Sequence, residues 1–463
     1  MVKMKSVFEF QQFQDVQYVL KQVLATLVTG WFTVIAGFAF GFSAVLLPEL
    51  QKDEDFDYDA DMASWIASIT PLSMVFGCVS SGYLIDYLGR KPGHMVLAVT
   101  SLISWLIIAF AANNVHMLIG RFIAGLSVGA SRPVSLVYIG EITDPKYRSL
   151  TLVAPSISMG VGIITSHILG GYVSWRHCCY IYGALNASCV ILFLFLKESP
   201  LWLISKGKID EGTQAFKWFR GQDIDSEKEL QLVLLRQNEK SNQYFYKDVM
   251  SLSFIKPLLI ILLLSFVQFN GANVFSFYAQ EMIETSFKGS IDPFAFMIGI
   301  DVVRFVIIIL IFAFNKFIPR KIFFLTANFC CGISLFILVV YLLNLERFGS
   351  IGLSITITVL FISFGGSVVT LGWSFVPELF SANLRGLGSG IAAAMSYLVL
   401  FVCVKISPGV AATYGDAAMY AFYGVVTVIN NLILCFVLPE TSGRSLQEIE
   451  DSYKKSGTTV SSL

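Results

Sequence analysis

Two octads of this 463-residue chain could make and break ion pairs at matched places: Glu141-Ile-Thr-Asp-Pro-Lys-Tyr-Arg148 and Glu378-Leu-Phe-Ser-Ala-Asn-Leu-Arg385. Each glutamate closes a long apolar stretch, and each arginine opens the next. A carboxylate and a guanidinium at helix ends can pair in one arrangement of the helices and part in another. Asp301 and Arg304 differ in kind. They stand on neighbouring faces of one helical turn, in a segment otherwise nearly all apolar. They can neutralise each other inside a bundle, or hold a proton or a polar solute. Gln268 and Asn273 are amides in another apolar segment, followed by Tyr278. Such groups either bind a hydroxylated solute or join helices.

The surrounding composition says what must position these groups. The chain is 55% hydrophobic and 14% charged, with a mean hydropathy of +0.70. Soluble domains carry roughly 25% charged residues, so the solvent here is a lipid bilayer. A formal net charge of zero argues against a nucleic-acid partner. The eight Cys lack metal-ligand spacing and read as small apolar residues. No cofactor, metal or enzymatic chemistry is called for.

A span needs about 20 apolar residues. Candidates are 25–47, 63–85, 94–113, 115–140, 149–173, 178–196, 256–280, 294–315, 322–344, 350–376, 385–408 and 417–438. In lipid the backbone must satisfy its own hydrogen bonds, so these runs are helices and the fold is all-α. The reading divides the chain into a terminus over 1–24, a bundle of helices over 25–196, a linker over 197–253, a second bundle over 254–438 and a tail over 439–463. The linker is charged, helical at 208–220 and 226–240, and shows no nucleophile–base or phosphate-loop pattern. The first apolar segment begins near Ala25 and is too long for a signal core, so it is expected to remain as the first span.

Basic residues set the orientation. Arg90-Lys91, Lys146 with Arg148, and Lys316 with Arg320-Lys321 fall in connections on one side. The first connection on the other side carries Glu49, Asp53, Glu54, Asp55, Asp57, Asp59 and Asp61. Both termini are expected in the cytoplasm. Asn186-Ala-Ser188 is a glycosylation sequon by letter alone, because it lies inside a span.

Several segments carry a resemblance. Asp86-Tyr-Leu-Gly89-Arg90-Lys91 resembles the D-x-x-G-R-R/K turn of the major facilitator superfamily. Lys197-Glu198-Ser199-Pro200-Leu201-Trp202-Leu203 is similar to the P-E-S-P-R-W-L segment of its sugar porter branch. Pro439-Glu440-Thr441-Ser442-Gly443-Arg444-Ser445-Leu446-Gln447-Glu448-Ile449 resembles that branch's P-E-T-K-G-x-x-L-x-E-I ending. Gly120-Arg121, Trp175-Arg176 and the two Glu–Arg octads complete the set, over about residues 25–450. The first span, with Lys405, resembles insect trehalose transporter-like proteins.

This resemblance implies twelve transmembrane helices in two six-helix bundles, a helical intracellular linker, and a small-molecule sugar as partner at mid-bilayer. A monomer should suffice, in the plasma membrane. Gln268-Phe269-Asn270-Gly271-Ala272-Asn273 and Tyr278 are similar to the helix-seven sugar motif Q-Q-x-x-G-x-N-x-x-x-Y-Y, with Val267 and Phe277 at two of its positions. Trp373 matches the branch's stacking tryptophan, although Val369-Thr370-Leu371-Gly372 replaces the preceding G-P-I-P. Ser156, His167 and Ser396 fall at further lining positions; His167 could equally be structural. The gating network implied is Asp86, Arg90, Lys91, Glu141, Arg148, Glu198, Arg320, Glu378, Arg385 and Glu440. Arg90 or Lys91 is expected on Glu141, and Arg148 on partners from the linker. Lys316 and Pro319 depart from the turn pattern, so the second latch should be weaker or differently wired. Buried charges are Arg121, Asp301 and Arg304. Proton-coupled relatives carry an aspartate where this chain has Ser43, which favours facilitated diffusion. Proton symport through Asp301, or a non-transporting sugar sensor, remain alternatives. Lys405 belongs to the resemblance or snorkels outward.

Overall fold

The computed structural model describes residues 2–54, 56, 59–221, 223–238, 251–287, 290–314, 318–344, 350–380 and 385–441; for residues 2–16, 60, 61, 149, 225, 236–238, 252, 253, 285, 286, 314, 377 and 385 it gives the backbone path alone. Among these residues every regular element is a helix.

The first half runs α1 (Val2–Lys52), α2 (Ala60–Leu88), α3 (Arg90–Ala109), α4 (Asn114–Ile142), the short α5 (Pro145–Thr151), α6 (Ala154–Tyr172) and α7 (Trp175–Leu194). Helix starts follow local chemistry. The Asn113 side chain accepts from His116 N at 3.0 Å to cap α4. Asp144 caps α5 by accepting from Lys146 N at 2.7 Å, with Pro145 in the first turn. Small residues then allow close approach. A side chain at Gly37 would strike the α6 backbone at Gly162, and one at Gly129 would strike Met74 of α2. This is how helices associate when lipid is the alternative neighbour.

Three shorter helices follow: α8 (Pro200–Ser205), α9 (Ile209–Arg220) and α10 (Ile224–Asn238). Ile204, Phe216 and Leu230 form their common core. The Gln22 side chain of α1 donates to Phe219 O at 2.8 Å and accepts from Asp144 N at 3.0 Å. Arg220 donates to Ile142 O at 3.1 Å. The linker is therefore fastened beneath the first half.

The second half comprises α11 (Leu252–Ser265), a 3-10 turn (Phe266–Asn270), α12 (Ala272–Phe287), α13 (Pro293–Phe314), α14 (Arg320–Leu343), α15 (Ile351–Leu379), α16 (Arg385–Tyr414) and α17 (Asp416–Val437). Among the described residues, eleven candidate spans are long and apolar enough to cross a membrane, with α11 to α12 taken as one. The glycine- and serine-rich α6 completes twelve. The halves meet along α2 with α16, α1 with α12 and α6 with α13.

Two spans are less continuous than the sequence suggested. The stretch 149–173 is divided between α5 and α6. The stretch 256–280 breaks at Gly271, whose φ of +79° lies in the left-handed region. A side chain there would also meet Tyr423. The break sits beside Gln268 and Asn273, which gives it consequence.

Candidate functional site

One end of the bundle carries the Arg90–Glu141 cluster and is termed here the basic face; the other carries the Glu49–Asp53 loop and is termed the acidic face. On the basic face, Arg90 holds Glu141 with two hydrogen bonds, Nε to Oε2 at 2.8 Å and Nη2 to Oε1 at 2.7 Å. Its Nη1 reaches Asp86 at 3.2 Å. Glu198 accepts from the backbone N–H of Arg90 at 3.0 Å, of Lys91 at 3.2 Å and of Ser199 at 2.6 Å. Burial raises the Glu198 carboxyl above the ordinary carboxylate range, against the lowering influence of those N–H groups and of Arg90. The turn between α2 and α3 must leave room for it. Gly89 has φ +109°, and a Cβ there would collide with the Glu198 carboxylate.

The second half repeats this wiring despite its altered turn. Arg320 pairs with Glu378, and Lys321 N donates to Glu440 at 3.2 Å. Both ion pairs join helices within one half. Of the two cations expected for Glu141, Arg90 holds it, while the Lys91 ammonium donates to Leu194 O and Leu196 O, each at 2.9 Å. One expected partnership differs: Arg148 donates to Thr143 O at 3.3 Å and to no linker residue among the described residues. The linker's own Arg220 takes the acids, Asp144 at 3.6 Å and Glu229 at 3.3 Å, so like charge keeps a second guanidinium away. The Arg385 side chain and residue Lys316 lie outside the described residues.

Polar groups gather where the seventh span breaks. Asn270 accepts from Ala272 N at 2.9 Å and donates to Gly365 O at 3.0 Å, tying the broken backbone to α15. The Asn273 amide donates to Gln268 Oε1 at 2.7 Å. Gln268 Nε2 and Asn273 Oδ1 keep no protein partner among the described residues, and neither is sealed from solvent. Gln268 lines a narrow cleft with Val267, Val369, Gly372, Trp373 and Ser396. Ser396 Oγ lies 3.3 Å from Ser265 Oγ. The cleft thus offers one amide donor, one nearby acceptor, a serine and an indole face. Tyr278 is turned away from it, donating to Val404 O at 3.2 Å at a kink in α12.

Ser156 and His167 do not line that cleft. Ser156 accepts from Arg132 Nη2 at 2.9 Å, and the Arg132 guanidinium lies 4.7 Å from the Trp373 ring centroid. Sequence reasoning missed Arg132. The available signal was its place three helical turns beyond Arg121 in an apolar span, which returns it to the same helix face. His167 is fully buried, with Nδ1 against the Asp301 carboxylate and Nε2 3.1 Å from Gly41 O. Arg304 stands 4.0 Å from Asp301 and donates to Ser276 Oγ at 2.6 Å. Arg121 donates to Ser43, to Ala39 O at 3.3 Å and to Ile66 O at 3.4 Å. Lys405 donates to Ser64 Oγ at 2.7 Å and sits 3.9 Å over the Trp65 ring in the opposite half.

A profile of the family described as sugar (and other) transporter matches residues 19–453. The chain belongs to the sugar (and other) transporter family. Relatives within it include the facilitated trehalose transporter Tret1 of Polypedilum vanderplanki, 28% identical over 445 residues, covering 94% of this chain and 88% of that one. The Tret1 protein of Apis mellifera ligustica is 28% identical over 441 residues, at 93% and 87% coverage. The chain spans about half the length of some Drosophila Tret1 proteins, 48% in that of Drosophila grimshawi. Among solved structures, the proton:xylose symporter XylE bound to 6-bromo-6-deoxy-D-glucose superposes with a TM-score of 0.78 at 18% identity, covering 94% of this chain and 99% of that chain. The inward-open xylose transporter XylE from E. coli gives 0.77 at 18% identity, with 92% and 98% coverage. At that identity the likeness establishes the transporter-family fold and nothing about substrate. The fold is that of the major facilitator superfamily.

Proposed function

We propose that this chain is a facilitative sugar carrier of the plasma membrane, a uniporter for a hexose or a trehalose-type disaccharide. The observation that carries the reading is the broken seventh span. Gln268, whose Nε2 keeps no protein partner among the described residues, lines a cleft walled by Trp373 and Ser396, and the Asn273 amide is bonded to its Oε1. A sugar presents hydroxyls to amides and a C–H face to an indole, and both are available within that cleft. No covalent step is involved, and the monomer holds the whole site.

Transport proceeds by rocking of the halves about the site, as in other carriers built of repeats. Contacts between the halves cluster on the acidic side: His167 with Asp301, Tyr172 with Phe294 at 5.7 Å, Phe40 with Phe277 at 5.3 Å, and Lys405 with Ser64. The cleft lies on the basic side of Gly271. With the termini and basic face in the cytoplasm, as the basic connections suggest, this is a state closed outward. The cytoplasmic ion pairs keep each half rigid while the halves move.

Uniport is supported by Arg121, whose partners are a serine and two carbonyls with no carboxylate to titrate. One observation favours a second reading, proton symport. His167 and Asp301 form a buried titratable pair between the halves.

The test is uptake of radiolabelled glucose and trehalose into proteoliposomes with and without an inward proton gradient. Saturable flux that only equilibrates is expected. Gradient-driven accumulation would favour symport, and binding with no flux would leave a sensor of the same fold. In the same assay Trp373→Ala and Gln268→Ala should each lower affinity roughly tenfold, the scale of one lost hydrogen bond or ring contact.

A further inference from the structure

The central turns of the spans hold more cations than anions. Among the described residues they carry Arg121, Arg132, Arg304 and Lys405 against Asp301. Glu281 and Glu284 are exposed nearer the acidic face. Arg304 is matched by Asp301, Arg121 by three oxygen acceptors, and Lys405 by a hydroxyl and an indole. Arg132 is different. It is half-buried, and its one hydrogen bond among the described residues is Nη2 to Ser156. Nε and Nη1 have no protein acceptor, yet neither is sealed from solvent. Among the described residues, the groups that interact with it are Ser156, Trp373, Tyr397 and Cys78, none of them a carboxylate.

An arginine this deep costs several kcal/mol to hold in a membrane unless something polar meets it. Its position also matters. It reaches from α4 of the first half to Trp373 of the second, the residue that walls the cleft. A guanidinium packed on an indole presents its fork edgewise, the geometry that receives a carboxylate with two parallel hydrogen bonds. A phosphate would bring up to two charges to a single uncompensated cation, leaving one buried without a partner.

We infer that Arg132 is a specificity residue for the carboxylate of an acidic sugar, so that the preferred substrate is a hexuronate-type monoanion. This rests on the carrier reading and goes beyond it, from neutral sugars to an acidic one as the preferred substrate. The sugar ring would lie against Trp373, its hydroxyls toward Gln268 and Asn273, and its carboxylate on an edge of the Arg132 guanidinium, bridging Nε or Nη1 and the second N–H of Nη2. Anchored to both halves, such a solute would be held in the closed cleft and released when the halves separate.

The experiment is binding and proteoliposome counterflow with D-glucuronate, D-glucose, trehalose and glucose 6-phosphate as probes. Wild-type protein should bind glucuronate at least tenfold more tightly than glucose, with glucose 6-phosphate no better than glucose. Arg132→Gln should lower the glucuronate-to-glucose affinity ratio at least tenfold, and Arg132→Lys should restore part of it. Wild-type protein that moves glucose or trehalose but shows no preference for glucuronate overturns the inference and leaves the carrier reading intact. Protein that moves none of the probes overturns both. A preference for glucose 6-phosphate overturns the carboxylate assignment, and a ratio unchanged in Arg132→Gln, or unrestored in Arg132→Lys, overturns the role of Arg132.

Discussion

His167 of α6 and Asp301 of α13 meet across the boundary between the halves, both almost completely buried. The imidazole Nε2 faces Gly41 O and its Nδ1 faces the carboxylate. Arg304 stands 4.0 Å from the same carboxylate, so the contact ties α6 of one half to a charged turn of α13 in the other.

Replacing one partner should uncover this. His167→Gln leaves a carboxylate facing a neutral amide, and breaking a buried pair costs about 3–5 kcal/mol. The expected outcome is a lower unfolding temperature and a changed exchange rate, because the halves lose a buried contact between them. Thermal unfolding and exchange in equilibrated proteoliposomes check it. A variant with wild-type stability and exchange would show that the pair is inert.

The two ion pairs of the basic face make a separate prediction. Arg90–Glu141 and Arg320–Glu378 each lie within one half. Glu141→Gln and Glu378→Gln should each destabilise by about 1.5–3 kcal/mol, the Glu378 change nearer the low end because that pair is more exposed. The double variant should add to within about 0.5 kcal/mol. Larger coupling, read from unfolding in mixed detergent, would mean that the pairs communicate across the halves.

Backbone geometry at the broken span is testable by one methyl group. Gly271→Ala places a side chain at φ +79° against Tyr423. The left-handed conformation alone costs roughly 1–2 kcal/mol. Thermal stability and transport should both fall, whereas Gly386→Ala, with open space around its Cβ, should be neutral. Equal behaviour of the two variants would mean that the break is dispensable.

Glu198 gives a pH signature on the basic face. Its carboxyl is raised by burial, so the folded state favours the protonated form more than the unfolded state does. Its ionisation is thus destabilising above the folded value, and that penalty is lost as pH falls below the unfolded value near 4.5. The unfolding temperature of wild type relative to Glu198→Gln should rise as pH is lowered from about 7 to about 4.5. A flat or falling difference would show that the backbone N–H groups outweigh burial.

Much of the architecture was legible in the chain. Apolar runs of membrane length, with basic residues on one side, fix helices and their number, because lipid leaves the backbone no other partner. The Glu141, Glu198, Glu378 and Glu440 positions were legible because they stand where apolar runs end, within motifs of charged residues. Spacing could not reveal which charge meets which. Lys91 and Arg148 found carbonyls, while Glu141 went to Arg90, since partner choice depends on where α3, α4 and the linker pack. Local pattern is equally silent on groups that converge from distant helices. His167 and Asp301 lie 134 residues apart, and the place of Arg132 over Trp373 exists only once α4 and α15 are set against each other. The sequence by itself decided the solvent, the helices and their ends, through hydrophobicity acting residue by residue. Tertiary structure alone decided which buried polar groups share a cavity, because in a low-dielectric interior each must find a partner in space, whatever its distance along the chain.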